Sequence, residues 1–115
     1  MQRVRDLTRG TDLATRADLA DNAWTRFRGL MLRAPLREGE ALVITPCGSI
    51  HMMFMRFAID AVFFDRDGRV TKVASGVRPC IGLAFGGKGA KGVIELPKGA
   101  ASDVAPGDQL EFETL

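Results

Sequence analysis

His51 is the only histidine of the chain, and imidazole is the side chain whose ordinary titration lies nearest neutrality. On a strand it would share a face with Met53 and Met55, while Ile50, Met52 and Phe54 would point the other way. Arg56 and Asp60 follow closely in the chain. Arg28 joins the set from upstream. At 100° per helical residue it falls about 40° from Trp24, beside an apolar stripe, whereas Arg26 and Arg33 fall on the far side. An arginine near a core needs a carboxylate, so a structural ion pair between Arg28 and Asp60 is one expectation. The sharper one is that Arg28, His51, Arg56 and Asp60 line a single recess. There they would bind a small anionic or carbohydrate-like ligand, with arginine supplying its forked donors.

Two other chemistries use overlapping residues. Asp60 and His51 form an acid–base pair for a small enzyme if hydrogen-bond geometry brings them together. Cys47, His51 and Met55, with Met53 beside them, are soft donors of the kind that hold Cu(I). Each has an ordinary structural counterpart. A lone imidazole is readily satisfied in or near a core, and methionines in an apolar strand usually fill gaps. No Ser-His-Asp order, HExxH, Walker loop or paired-zinc spacing is present, and Gly86-Gly87-Lys88-Gly89 lacks the GxxxxGK[ST] spacing of a phosphate loop. The chemistry-bearing residues therefore point to a binding module rather than an enzyme, with no cofactor called for.

These residues have to be positioned by elements. Trp24, Phe27 and Met31 recur at helical spacing behind Asp21 or Asn22, either of which can serve as N-cap, and Ala34-Pro35 stops the run. This predicts one main helix over about 22–32. Glu40 to Thr45 holds an unbroken apolar run, as in a strand buried on both faces. Ile50 to Phe57 and Ile59 to Asp65 read as extended. Asp65-Arg66-Asp67-Gly68-Arg69 reads as a hairpin turn that pairs Arg69–Ala74 back antiparallel. Val93–Leu96 and Gln109–Thr114 read as later strands, and Thr11–Ala20 as a first strand with weak alternation. The expected fold class is α+β: a β-rich, curved, mostly antiparallel sheet or partly closed barrel with the helix packed on it. Residues 1–10 read as a flexible arm and 11–115 as a single compact domain.

At 115 residues, 46% hydrophobic and 26% charged, the chain has an ordinary globular composition. A net charge of +2 is too mild for a nucleic-acid footprint. Cys47 and Cys80 fit no CxxC pattern, so buried thiols are the default and a single bridge between them the alternative in an exported chain. No apolar run approaches the ~20 residues of a membrane span, and the opening MQRVRDLTRG has no signal-like apolar region. A cytoplasmic location is expected if the chain is complete at Met1, and export if an upstream signal was trimmed.

A series of landmarks runs through these segments. It comprises Arg26-Phe27-Arg28-Gly29-Leu30-Met31-Leu32-Arg33, Ile50-His51-Met52-Met53-Phe54-Met55-Arg56-Phe57-Ala58-Ile59-Asp60, Asp65-Arg66-Asp67-Gly68-Arg69-Val70, Arg78-Pro79, Ala90 to Gly99, and Gly107-Asp108. Together these resemble the bacterial and archaeal domain of unknown function 192 family, in the subgroup with a His-x-x-x-Met-Arg-x-x-Ile-Asp run. The likeness extends from Leu13 almost to the C-terminus. Met52 and Met53 stand where Thr and Phe are common in that family, and Ala58 where proline is frequent. The resemblance implies a compact β-rich domain, in relatives with and without export signals, and no established reaction, substrate or cofactor.

Overall fold

The computed structural model describes residues 1–20, 35–51, 57–78 and 82–115. The apolar runs decide its centre. β3 (Glu40–Ile44), β5 (Ile59–Phe64) and β8 (Gly92–Pro97) are buried almost throughout, which a strand achieves only when both faces of its sheet are covered. On one face Ala41, Val43, Val62, Phe64, Ile94 and Leu96 pack with Val4, Val70 and Leu110. On the other, Leu42, Ile44, Ile59, Ala61, Phe63 and Val93 pack with Leu36, Ile50 and Ala84.

Around these lie β1 (Gln2–Asp6), β2 (Thr11–Ala20), β6 (Val70–Val77) and β9 (Leu110–Thr114), giving a seven-stranded sheet in the order β6-β5-β8-β3-β2-β1-β9. β4 (Ser49–His51) and β7 (Leu83–Phe85) form a separate antiparallel pair. Ile50 and Ala84 belong to the second apolar cluster, so this small sheet covers the outer face of the large one. The first cluster takes residues from both ends of the large sheet and fills the inside of its curl.

The curl brings the sheet's two ends together. Arg69 and Gln109 form an isolated antiparallel bridge, flanked by Val70 N donating to Asp108 O (2.8 Å), Gly107 N to Val70 O (2.8 Å) and Leu110 N to Gly68 O (2.8 Å). The Asp65–Gly68 turn is the one expected: Gly68 takes φ +81° and Gly68 N donates to Asp65 O. Here the turn has a second task, closing the seam of a half-barrel.

Two expectations are corrected, and a third falls where it cannot be compared. The fold class is all-β rather than α+β, because among the described residues every regular element is a strand and no helix is present. The helix predicted over about 22–32 lies in residues 21–34, outside the described residues. Residues 1–10, read as a flexible arm, hold β1, which pairs with β2 on one side and β9 on the other and buries Val4 completely. Their charge misled: on a strand only alternate residues need be apolar, and Val4 suffices. The ladder also contains one parallel pair, β2 with β3 (Arg16 opposite Glu40 to Ala20 opposite Ile44), in an otherwise antiparallel sheet.

Candidate functional site

Of the four residues expected to share a recess, Arg28 and Arg56 lie outside the described residues, and of His51 only the backbone is described. His51 closes β4 opposite Leu83. Asp60 is 1% exposed. Strand alternation places it with Val62 and Phe64 on the inside of the curl, whereas β4 covers the outer face through Ile50. The sheet therefore stands between Asp60 and the strand that carries His51.

Asp60 has another occupation. β6 carries a bulge, since Ala61 and Ile59 face Ala74 and Val77, and Gly76 adopts φ +61° within it. A bulge releases backbone groups from the ladder, and Gly76 N finds its acceptor in Asp60 Oδ1 at 2.8 Å. Asp60 Oδ2 accepts from Gly99 N and Ala101 N, both at 3.0 Å, in the turn after β8. One carboxylate thus ties three chain segments at one end of the half-barrel and fixes the Pro97–Ala101 turn.

That turn forms one wall of a groove of about 660 Å³ lined by Asp12, Leu13, Thr15, Glu38, Gly39 and Lys98, with Pro97 and Ala100. Strand stagger opens it. β2 begins at Thr11 but meets β3 only from Arg16, so Thr11–Thr15 overhang the start of β3. β8 ends across the gap at Pro97. The roof is held by Gly39 O, which accepts from Thr15 N and Arg16 N at 2.9 Å each. Asp12 also meets Arg5, Oδ1 to Nε 3.4 Å. Two carboxylates, one ammonium and one hydroxyl face a space within the ordinary size range of ligand pockets. The sequence reading missed this groove because stagger between strands leaves no local pattern.

Glu95 was also missed. It lies in β8 between Leu42 of β3 and Ala61 of β5, on the outer face beside Val93. It is 4% exposed, Oε1 has no hydrogen-bond partner, and burial alone pushes its carboxyl up to about 7. The signal was in plain sight: an acid inside the apolar run Val93-Ile94-Glu95-Leu96.

Of the soft-metal set, Cys47 is half-buried and its thiol donates to Ser49 O at 2.9 Å, while Met55 lies outside the described residues. The Cys47–Cys80 bridge cannot be compared either, because Cys80 is outside them too. Among the described residues no cluster of three or more His, Cys, Asp or Glu could hold a metal ion. Among them also, no helix is long and apolar enough to cross a membrane.

By architecture this is a curled β half-barrel with a two-stranded sheet on its outer face. The chain belongs to the domain of unknown function family DUF192 ("Uncharacterized ACR"), whose family model matches residues 5–112. It is 34% identical to a UPF0127 protein of Thermococcus sibiricus over 113 residues, covering 92% of this chain and 71% of that one. With a UPF0127 protein of Pyrococcus furiosus it shares 30% identity over 117 residues, covering 96% and 97%. The fold is also that of a crystal structure of a protein of unknown function from Novosphingobium aromaticivorans, with a TM-score of 0.83, 23% identity and coverage of 96% of this chain and 82% of that one. The family's biochemical function is unknown.

Proposed function

We propose that this protein is a non-enzymatic binding module that takes a small, neutral, hydroxyl-rich ligand of carbohydrate type into the groove between β2 and the turn after β8. The observation that carries this reading is the groove itself, open at the start of β3 and edged by Asp12, Thr15, Glu38 and Lys98. Asp12 is paired with Arg5, so Glu38 and Lys98 are the charged groups left to a ligand and they balance, which favours a neutral one. Carboxylates accept from ligand hydroxyls, Lys98 donates to ligand oxygens, and Thr15 Oγ1, whose proton goes to Gly39 O at 3.5 Å, keeps lone pairs to accept. A chemical step through Asp60 and His51 has less support, because Asp60 is already engaged by three backbone donors inside the curl.

The test is titration of the full chain with mono- and disaccharides, followed by amide chemical-shift changes. Saturable shifts centred on residues 12–15, 38–39 and 97–100 are expected. Glu38→Ala and Lys98→Ala, both at exposed positions, should each weaken binding by about tenfold, the loss of one charge-assisted hydrogen bond. No shifts at millimolar sugar would overturn the proposal. So would shifts produced only by small anions, lost in Arg28→Ala or His51→Ala and kept in Lys98→Ala. That second outcome would move the site to a recess of Arg28, His51 and Arg56.

A further inference from the structure

The half-barrel's seam ends on a pair of acids. Asp6 closes β1 and is 1% exposed; Asp108 precedes β9 and is 4% exposed. Arg9 reaches both carboxyls, its backbone N donating to Asp6 and its guanidinium to Asp108, and each acid shifts the other's titration. Asp108 is held as an anion: Arg9 Nε donates to Oδ2 at 2.8 Å, Arg9 Nη2 to Oδ1 at 3.4 Å, and Ala105 N to Oδ2 at 3.2 Å. Asp6 is served differently. Its donors are backbone groups, Arg9 N to Oδ1 at 3.2 Å with a weaker bond from Thr8, and its Oδ2 is buried with no partner.

Two carboxylates cannot hydrogen-bond each other, since neither has a donor. A buried oxygen without a donor, set against a second acid, is an arrangement that a proton completes. We infer that Asp6 and Asp108 share one proton, so that the seam between the β1–β2 turn and the segment before β9 is clasped by a carboxylic acid donating to a carboxylate. The charged groups around the pair are consistent with this. Arg9, from the turn after β1, faces Asp108, and exposed Asp103 acts on Arg9 from a distance. Arg69, from the β5–β6 hairpin, donates to Gly107 O beside Asp108 (3.1 Å). The strand neighbours of Asp6, Thr11 on β2 and Leu110 on β9, are uncharged. Arg9 thus balances one negative charge and leaves the second carboxyl to hold its proton.

The clasp is pH-sensitive in both directions. Asp6 is raised from the usual carboxylate value, chiefly by burial and then by its bond to Asp108. A proton bound more tightly in the folded state than in the unfolded one stabilises most at low pH. That part is lost as pH rises from the usual aspartate value through the raised one. Asp108 lies below the usual value because the bonds from Asp6 and Arg9 outweigh its burial. Its contribution is present above the usual value and lost as pH falls through the lowered one. The clasp is strongest where the pair holds one proton.

Carboxyl-carbon NMR titration of the full chain tests this directly. Both carbons should sense two steps, one above and one below the ordinary aspartate range. Opening at the amides of Val70, Gly107 and Leu110 is read from hydrogen exchange corrected for its intrinsic pH dependence. It should rise by about tenfold per pH unit between the ordinary aspartate value and the raised one. Asp6→Asn, whose amide donates without titrating, should abolish that rise. Single, independent steps near the ordinary value would overturn the inference, as would exchange in Asp6→Asn that still follows pH. The wild-type titration decides the matter even if the variant fails to fold.

Discussion

Glu95 costs the fold stability, and its pH dependence shows how much. Its carboxyl, carried to about 7 by burial, binds a proton more tightly when folded than when unfolded. Stability is therefore highest below the unfolded value near 4.5, falls as pH rises from there to about 7, and is level beyond. Across that window the loss is about 3 kcal/mol. Glu95→Gln keeps the shape and removes the charge, so its stability should exceed wild type by roughly that amount at pH 9 and match it near pH 4. Urea denaturation at the two pH values checks this, and an equal difference at both would contradict it. The acid was legible in the sequence as an interruption of an apolar run. Its meaning was not, because an edge strand could have turned the same residue to water.

Among the elements, the hairpin after β5 and the strands β3, β5, β8 and β9 follow the sequence pattern closely. Each rests on local chemistry: an Asp-rich turn with Gly68 at positive φ, a largely apolar run in β3, β5 and β8, or the alternation of β9. β2 does not read so clearly, and the register explains why. Two irregularities against β1 insert extra residues, so Ala14 and Ala17 both face the inside of the curl despite an odd spacing. A two-residue period is thereby scrambled into a three-residue one. The start of β8 depends on a close approach. A Cβ on Gly92 would stand 2.4 Å from Phe64 Cζ and 3.0 Å from Ile44 O. The Phe64 ring is in turn tilted at 50° against Phe112, centroids 4.9 Å apart. Gly92→Ala should cost about 1–3 kcal/mol through forced repacking. A lower urea midpoint with an unchanged slope, together with displaced Phe64 and Phe112 ring signals, is the expected readout.

At the scale of the whole molecule, the half-barrel is held by long-range ties that no window of sequence contains. Asp60 joins the β6 bulge to the turn after β8. Removing its carboxylate leaves three N–H groups to find new partners, so Asp60→Ala should lose on the order of 4 kcal/mol. Accelerated exchange confined at first to Gly76, Gly99 and Ala101 would distinguish loss of this tie from general destabilisation. Residue types and their alternation determined that β3, β5, β8 and β9 become strands, where the tight turn falls and which family the chain resembles, because these are properties of neighbours along the chain. Tertiary structure alone decided that the charged first residues form an inner strand and that Asp60 faces away from the strand bearing His51. It also decided that a groove opens where β2 outruns β3. Each of these follows from register and curl, which are set by pairings between residues far apart in sequence.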